Sequence, residues 1–299
     1  ASSTSGRTGS SRSTPLTRPI DVMTRRCFVI GHPIAHSRSP LIHGTWLEEH
    51  GLDGSYERID VAPAELPAFV ARLRVGEFTG GNVTVPHKEA VAALLDEVTD
   101  TARAMGAVNT LWRDGDRLCG DNTDAAGFLG HLDATAAGWD AHVRTALVIG
   151  AGGAARAVVH ALKGRGLTRI LVVIRNPARA AELVAAFGQP LEARDWSERS
   201  ACVREADLVV NATSLGMKGQ PPLDLDLGGL RPGTIVDDIV YVPLKTALLV
   251  DAEKRGAVIV DGLGMLLHQA VPGFARWFGI APSVTPALRA RHEGDIVGA

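Results

Sequence analysis

The chain has 299 residues, 45% hydrophobic and 21% charged, an ordinary composition for a globular protein with one large domain or two smaller ones. Lysine plus arginine number 31 against 33 acidic residues, and this net charge of −2 argues against a nucleic-acid partner. No apolar run approaches the ~20 residues that span a bilayer, and the three scattered cysteines favour a reducing, cytoplasmic compartment over a disulfide framework or a thiolate zinc site.

The first twenty residues are rich in serine, threonine, glycine and arginine and contain no acidic residue. They include too few apolar side chains to bury and order themselves. Arginine and serine without acid are also typical of organelle transit peptides, but Pro15 and Pro19 interrupt any amphipathic helix. We therefore expect residues 1–24 to form a disordered tail outside the fold.

From Cys27 onward, short apolar strands alternate with helical patterns in the order βαβαβ, which is typical of a parallel sheet. Ser39 is the predicted N-cap of the first helix, with Pro40 at its first position. Asp114-Gly115 separates two later strands and suits a type I′ turn, because both residues tolerate positive φ. The predicted strands cover residues 27–30, 56–61, 80–85, 108–113 and 117–120, and the predicted helices 40–50, 64–73 and 88–95.

A helix at 125–136 leads into a second α/β unit. Its first strand, 145–149, is continuously apolar and runs into a glycine-rich turn. Further strands at 170–174, 207–211, 234–237 and 258–260, with helices between them, predict a second parallel sheet. The fold class is therefore α/β with two domains, and the apolar helical segments at 262–279 are expected to return to the first one.

The turn after the 145–149 strand has the sequence GAGGAA at 150–155 and opens a helix. It fits the dinucleotide pattern G-x-G-x-x-A, in which Gly150 forms the tight turn, Gly152 admits a pyrophosphate and Ala155 keeps helix and strand close. The strand–turn–helix context favours this interpretation over a glycine-rich loop without a ligand.

The cofactor type is indicated by the residues that follow the strand at 170–174. An NAD site usually has an acidic residue there for the ribose 2′-hydroxyl, but this chain has Arg175 and Arg179. Because guanidinium groups pair with phosphate through a fork of donors, a 2′-phosphate and hence NADP is predicted. The alternative, a solvated helix residue, suits Arg179 better than Arg175.

Three polar clusters lie where first-unit strands end. Each has a simpler explanation: helix capping for Ser39, solvent exposure for Lys88 and turn chemistry for Asp124. Against these, a reduced ketone develops negative charge on oxygen, which a lysine can stabilise and protonate while an aspartate holds the lysine in place. Lys88 and Asp124 are the predicted pair. The clusters comprise Ser37 and Ser39; Asn82, Thr84 and Lys88; and Asn109 with residues 121–124.

Together these segments resemble the shikimate dehydrogenase family from about Cys27 to the C-terminus. The stretches that carry the resemblance, in the family's order and spacing, are GHPIAHSRSPLIH, NVTVPHK, GAVNT, GDNTDAAGF, GAGGAARA, NATSLGM, DDIVYVPLKTALL and DGLGMLLHQA. The resemblance implies NADP-dependent reduction of 3-dehydroshikimate to shikimate, in the pathway to chorismate and aromatic amino acids. It also implies a substrate-binding catalytic domain at 25–123 plus 263–299 and an NADP-binding Rossmann domain at 124–262.

The resemblance further assigns roles to individual residues. Catalysis falls to Lys88 and Asp124, and no metal is implied. The implied substrate contacts are Ser37, Ser39, Asn82, Thr84, Asn109, Tyr241 and Gln269. The implied cofactor contacts are Gly150, Ala151, Gly152, Gly153, Ala154, Arg175, Asn176, Arg179, Thr213, Ile239, Gly262 and Met265.

Other functions stay open at this point. One is a quinate/shikimate dehydrogenase that uses NAD, against which Arg175 argues. A second is a catalytically silent regulator that binds NADP or shikimate, although both Lys88 and Asp124 are present. A third, a methylene-tetrahydrofolate dehydrogenase, disagrees with the paired serines and with the DNTD sequence at 121–124. The expected assembly is a monomer or a homodimer.

Overall fold

The computed structural model describes residues 24–297, so the predicted tail lies outside the described residues except for Thr24. Each half of the chain builds a six-stranded sheet. The first sheet contains β1 (Arg25–Gly31), β2 (Gly54–Asp60), β3 (Gly80–Val83), β4 (Glu97–Val98), β5 (Thr110–Asp114) and β6 (Arg117–Asp121). The second contains β7 (Thr145–Ile149), β8 (Arg169–Val173), β9 (Leu191–Arg194), β10 (Leu208–Asn211), β11 (Ile235–Asp238) and β12 (Val258–Asp261).

The helices cover the sheets or connect them. The first half contributes α1 (Ser39–His50), α2 (Leu66–Arg74) and α3 (Asp100–Met105), with 3-10 turns at Pro63–Glu65 and Ala90–Leu94. The second half contributes α4 (Asp124–Thr135), α5 (Gly153–Gly164), α6 (Pro177–Phe187), α7 (Arg199–Val203) and α8 (Ala247–Lys254), with 3-10 turns at Trp139–Ala141 and Trp196–Glu198. The chain ends with α9 (Gly262–His268), α10 (Ala270–Phe278) and α11 (Pro286–Val297).

In both sheets, the strands that follow the first one along the chain are added first on one side of it and then on the other. In the first sheet the order is β2-β1-β3-β5-β6-β4, with β1 parallel to both of its neighbours and β5 antiparallel to β3 and β6. The second sheet has the order β12-β11-β10-β7-β8-β9 and is parallel throughout. Ligands of open α/β sheets bind at such switch points, beyond the carboxyl ends of the strands. The α/β class with two sheets was predicted correctly.

The final helices return to the first sheet, as predicted. Phe274 and Trp277 of α10 are buried against Cys27 and Trp46. The indole nitrogen of Trp277 donates to the Leu111 carbonyl of β5 at 2.9 Å. The C-terminal segment therefore completes the core that the N-terminal segment begins.

Residues 88–95 do not form the predicted α-helix, and only the 3-10 turn Ala90–Leu94 is present. An α-helix here needs the Lys88 carbonyl for the amide four residues on. That carbonyl instead accepts the Val108 amide at 2.7 Å. Of the predicted helix only Val91 is buried, so no apolar face stabilises a longer helix.

Two local predictions at turns are also wrong. Asp114 pairs with Arg117, so the two-residue loop is Gly115-Asp116, not Asp114-Gly115. Gly115 has φ 61°, whereas no described non-glycine residue has positive φ, a pattern that favours type II′ over type I′. The N-cap of α1 is Arg38, and Ser39 is already helical. The Ser39 hydroxyl is therefore free of the capping role proposed for it.

The described residues include no helix that combines the length and apolarity needed to cross a membrane. Cys27, Cys119 and Cys202 are buried and unpaired thiols.

A buried histidine gives the first core a pH-dependent weakness. His43 of α1 is fully buried and stacks on Tyr56 with ring centroids 4.1 Å apart. Neither ring nitrogen has a hydrogen-bond partner among the described residues. Burial lowers the pKa of His43 from 6.5 to about 3, and the nearby Asn82 amide offsets only part of this effect.

We expect His43→Phe to stabilise the protein and to flatten the acid side of its stability curve. The unfolded chain binds a proton below pH 6.5 that folded His43 rejects until about pH 3. The free energy of unfolding therefore falls with decreasing pH in this window, by ~1.4 kcal/mol per pH unit where only the unfolded form is protonated. Urea unfolding at several pH values between 7 and 5 measures how steeply the free energy of unfolding depends on pH. At about pH 5 the histidine of the unfolded chain is protonated.

His43→Gln is the matched control. It cannot titrate, so it too should flatten the slope, but it keeps polar atoms in the core and should gain no stability at pH 7. An unchanged slope in both variants would show that His43 does not control acid stability.

Candidate active site

The polar clusters of the sequence meet in one cavity of about 230 Å³ beyond the carboxyl ends of β1 and β3. Every predicted catalytic and substrate-binding residue lines it. The predicted lining residues are Ser37, Ser39, Asn82, Thr84, Lys88, Asn109, Asp124, Tyr241 and Gln269, joined by Ile239, Gly262 and Met265 from the predicted cofactor set. Sequence reasoning missed Val29, His36, Arg38, Val83 and Leu266, which also line it.

An ion pair lies in this cavity. The Lys88 Nζ donates to Asp124 Oδ2 at 2.6 Å, with side chains 27% and 15% exposed. The other carboxylate oxygen accepts from Asn109 Nδ2 at 2.8 Å. Because both Asp124 oxygens are held from the protein side, the ammonium group keeps a fixed position with donors left for a ligand.

The orientation of the Asn109 amide is set by its neighbours. Its Oδ1 accepts the Thr123 amide at 2.9 Å and the Thr110 hydroxyl at 2.8 Å. Its Nδ2 is therefore the end that faces Asp124. Thr110 and Thr123 are buried, so this arrangement is shielded from competing water.

Asn82 frames the cavity from β3. Its Oδ1 accepts the Tyr56 hydroxyl at 2.5 Å, and its Nδ2 donates to the Asn109 carbonyl at 3.0 Å and to the Thr110 hydroxyl at 3.2 Å. Burial raises the pKa of Tyr56, which keeps the phenol protonated as a donor. Tyr56 was not predicted from the sequence, because it lies on a different strand from any polar motif.

Hydroxyl groups occupy another part of the wall. Ser37 lies on the segment between β1 and α1, and Ser39 is the first residue of α1. The Ser39 amide lies 3.4 Å from the Ser37 hydroxyl. Arg58 Nε donates to the Ser37 carbonyl at 2.7 Å and so fixes this segment from β2. Tyr241 faces the same cavity, and burial raises the pKa of its phenol. Uncharged hydroxyl donors therefore line this part.

Close helix packing brings Gln269 near Asp124. A side chain on Gly127 of α4 would place its Cβ 2.5 Å from the Gln269 Cβ. Asp261 caps the N-terminus of α9 by accepting the Leu263 amide at 3.0 Å, and this helix presents Met265 to the cavity. Glycine at 127 thus allows the helix that starts at Asp124 to contact the segment that carries Gln269.

A second cavity, of about 600 Å³, lies at the switch point of the second sheet. Gly150 has φ 125°, and a Cβ there would lie 2.8 Å from the Ala212 carbonyl oxygen. By contrast, a Cβ on Gly152 or Gly153 would meet nothing within 4 Å. The turn therefore offers bare backbone and the N-terminus of the 12-residue helix α5 to an approaching anion.

This second cavity adjoins the first. Four residues line both cavities: His36, Arg38, Ile239 and Tyr241. Of the predicted cofactor contacts, it is lined by Gly152, Gly153, Ala154, Thr213 and Ile239. Lining residues that the sequence reasoning missed are Ala212, Ser214, Met217, Lys218, Val240 and Val242.

A buried polar network supports the wall between the cavities. Asn211 Oδ1 accepts the Thr213 amide at 3.1 Å, and its Nδ2 donates to Asp238 Oδ1 at 2.9 Å. The same Asp238 oxygen accepts the Val240 amide at 3.1 Å, and Oδ2 accepts the Thr246 hydroxyl at 2.6 Å. Burial raises the pKa of Asp238 despite these donors. The NATSLGM motif contained Asn211, but its partner on the adjacent strand was not evident.

Arg175, Asn176 and Arg179, which would meet the adenosine end of the cofactor, lie outside both cavities. The first two follow the carboxyl end of β8, and Arg179 lies in the first turn of α6. Arg175 is exposed, and its guanidinium lies 4.8 Å from the Trp196 ring centroid. Asn176 Oδ1 caps α6 by accepting the Ala178 amide at 3.0 Å, so only its Nδ2 is open to a ligand. The Gly150 amide donates to the Val173 carbonyl at 3.0 Å, which places this edge beside the glycine-rich turn.

Among residues 24–297, no cluster of histidine, cysteine and carboxylate side chains is suited to hold a metal ion.

Family models match three parts of the chain. The shikimate dehydrogenase substrate binding domain matches residues 29–111, shikimate / quinate 5-dehydrogenase matches 134–217, and the shikimate 5′-dehydrogenase C-terminal domain matches 262–290. Gly150 to Thr213 lie in the second match, and Gly262 to Gln269 lie in the third. Lys88 and Asn109 lie in the first match, whereas Asp124 falls between the first and the second.

Among full-length relatives, a shikimate dehydrogenase (NADP(+)) of Azorhizobium caulinodans is 56% identical over 89% of this chain and 94% of its own. A Thermus thermophilus shikimate 5-dehydrogenase, solved with NADP(H) and shikimate, has a TM-score of 0.81 at 39% identity, covering 91% of this chain and 99% of that one. A Corynebacterium glutamicum quinate dehydrogenase, solved with NAD, has a TM-score of 0.82 at 31% identity, covering 92% and 99%.

Substitutions at two glycines of the turn should affect folding stability and dinucleotide binding separately. Gly152→Ala adds a methyl into open space, so we expect unchanged thermal unfolding without ligand but NADP binding weakened about tenfold or more. Gly150→Ala should instead lower the stability of the ligand-free protein by about 1–3 kcal/mol, because its positive φ and the Ala212 carbonyl oppose a side chain.

Thermal unfolding and a fluorescence titration with NADP measure the two effects. Wild-type affinity in Gly152→Ala would contradict the assignment of this turn to the pyrophosphate.

Proposed function

The chain belongs to the shikimate dehydrogenase family, and we propose that it reduces 3-dehydroshikimate to shikimate with NADPH as a cytoplasmic enzyme of aromatic biosynthesis. The observation that best supports this proposal is the Lys88–Asp124 ion pair, with 2.6 Å between Nζ and Oδ2. It lies in a hydroxyl-lined cavity that adjoins the predicted dinucleotide-binding turn. Such a pair suits proton transfer to a ketone oxygen that becomes negative during reduction.

The chain's residues divide this chemistry between them. Bound NADPH supplies the hydride. Lys88 stabilises the developing negative charge on the substrate oxygen and donates a proton to it from Nζ. Asp124 holds that ammonium and accepts a hydrogen bond from a ring hydroxyl. Asn109 keeps Asp124 in place through the 2.8 Å contact to Oδ1.

The remaining polar side chains orient the ring. Ser37, Ser39 and Tyr241 bind the carboxylate through their hydroxyl groups. Thr84 and Gln269 contact ring hydroxyls beside Lys88. Asn82, whose side-chain oxygen and nitrogen already have protein partners, contributes mainly by holding the backbone of this wall.

The pyrophosphate and nicotinamide of NADP would occupy the second cavity and its border with the first, and the adenosine end would extend beyond both. The turn GAGGA at 150–154, which includes Ala151 and Ala154, binds the pyrophosphate through backbone amides. Arg175 and Arg179, with the side-chain Nδ2 of Asn176, bind the 2′-phosphate of the adenosine. The Arg175 guanidinium already stacks on Trp196, which pre-orients its planar fork. The nicotinamide end is bounded by Thr213, Ile239, Gly262 and Met265, three of which also line the substrate cavity.

This division implies two domains. We assign residues 25–123 plus 263–299 to substrate binding and catalysis, and residues 124–262 to NADP binding. The assignment is supported by the two separate sheets, β1–β6 and β7–β12. Closure of the cleft between them would exclude water from the reaction.

A second candidate is a quinate/shikimate dehydrogenase that uses NAD. It is favoured by the likeness to the quinate dehydrogenase solved with NAD, at a TM-score of 0.82. Arg175 at the carboxyl end of β8 argues against it, because an acidic residue there is what NAD enzymes use.

The proposal is tested by following the absorbance of reduced nicotinamide with the purified chain. We expect the cofactor to be reduced chiefly when shikimate is the substrate and NADP the cofactor, which is the reverse of the proposed reaction. Comparable rates with quinate and NAD would favour the second candidate. Absence of turnover in a folded protein that binds NADP would contradict both and favour a silent regulator.

Lys88→Ala should lower kcat by about 10²–10⁴-fold, because it removes both the proton donor and the stabilising charge. The fold should persist, since the side chain is 27% exposed rather than part of the core. Lys254→Ala, at an exposed lysine of α8, is the control and should leave kcat unchanged. Steady-state kinetics and thermal unfolding of both variants decide the point, and wild-type turnover in Lys88→Ala would remove the lysine from the mechanism.

A further inference from the structure

The substrate cavity has cationic side chains in two places. Among the described residues that line it, lysine and arginine occur at Lys88 and Arg38, and His36 adds an imidazole. Lys88 is held by Asp124. At the hydroxyl cluster of Ser37, Ser39 and Tyr241, Arg38 is the cation that lines the cavity, whereas Arg58 binds the Ser37 carbonyl and is not a lining residue.

Neutral hydroxyls alone are a weak reason for a site to select an anion. A carboxylate loses much of its hydration on entering a cavity, and hydroxyl donors replace only part of it. Hydrogen bonds and ion pairs that involve a guanidinium are about twice as strong as neutral ones, and Arg matches carboxylate geometry. A nearby cation therefore strengthens the preference of such a site for an acid over its neutral ester.

Arg38 is placed for this role by both its backbone and its side chain. It is the N-cap of α1, with its carbonyl accepting the Leu41 amide at 3.0 Å, so its position between Ser37 and Ser39 is fixed. Its side chain is only 14% exposed and is ion-paired with Asp295 of α11. Its positive charge also acts on the Tyr241 phenol, whose pKa it lowers against the larger effect of burial.

We propose that Arg38 is the specificity-determining cation of this cavity, which makes the enzyme select the carboxylate of shikimate over a neutral analogue. This inference rests on the proposed function, because it deepens the description of the same site. Asp295 acts as a positioning residue: its side chain is 48% exposed, is ion-paired with the guanidinium and is not part of the cavity lining. Since Arg38 also lines the second cavity, the rival ligand is the cofactor pyrophosphate.

The test compares the acid with its methyl ester in wild type and Arg38→Gln. At saturating NADP, kcat/KM for shikimate should fall about 10–100-fold, the loss of one charge-assisted contact. The value for methyl shikimate should stay within about twofold, because the neutral ester has no carboxylate charge to pair with the guanidinium. Arg38→Lys should restore part of the discrimination. KM for NADP should not change.

Two results would overturn the proposal. Equal losses for acid and ester would mean that Arg38 merely supports the fold, and a rise confined to the KM for NADP would assign it to the pyrophosphate. Arg291→Gln is the matched control: it removes another ion pair between α11 and α1, to Glu48 at 3.3 Å, without touching Arg38. This variant should leave kcat/KM for shikimate and kcat/KM for methyl shikimate unchanged.

Failure of the proposed function is distinguishable from failure of this inference. If wild type does not oxidise shikimate, the proposed reaction is wrong, and calorimetric titration with shikimate then tests Arg38 directly. Binding at least tenfold weaker in Arg38→Gln than in wild type still supports the cation; equal binding, or none in wild type, contradicts it.

Discussion

The Asp124 carboxylate, held on one oxygen by Lys88 and on the other by Asn109, is the interaction on which the site depends. Its three members come from different parts of the chain, and the backbone is arranged to bring them together. The Val108 amide donates to the Lys88 carbonyl at 2.7 Å, and the Asn109 amide donates to the Asp121 carbonyl at 2.9 Å. The first of these bonds uses a carbonyl that an α-helix would need. The helix is therefore lost at the position where the lysine is fixed.

The topology explains why one cavity can adjoin another. Each sheet reverses its growth beside its first strand, β1 or β7, and each reversal leaves a crevice beyond the carboxyl ends of two strands. The helices α4 and α9 link the two crevices, and they approach closely because Gly127 carries no side chain toward Gln269. The return of α10 onto the first sheet fixes this arrangement, with Trp277 buried and hydrogen-bonded to Leu111.

Much of the fold was predictable from local pattern, and so were several cavity-lining residues, among them Lys88, Asp124 and Gly152. Tyr241, Gln269 and Thr213 were assigned only by the family resemblance. The continuous apolar strand β7 and the turn at Gly150 both have short-range signals, and the structure has both. Apart from the turn at Gly115 and the N-cap of α1, the misses involve contacts between distant parts of the chain. The Tyr56–Asn82 hydrogen bond and the Arg38–Asp295 ion pair depend on how β2, β3, α1 and α11 pack, which no local pattern encodes. The 88–95 helix failed for the same reason, since the Val108 amide, which precedes β5, takes the Lys88 carbonyl.

The segment after β11 is where the two ligands would meet, since Ile239 and Tyr241 line both cavities. If this segment moved independently of the sheet, the positions of the lining residues of both cavities would vary. Here the Asp238 carboxylate binds the Val240 amide on one side and the Thr246 hydroxyl on the other. Buried polar groups that have all their partners rigidify their surroundings. Asp238 therefore stiffens the wall that the two cavities share at Ile239 and Tyr241.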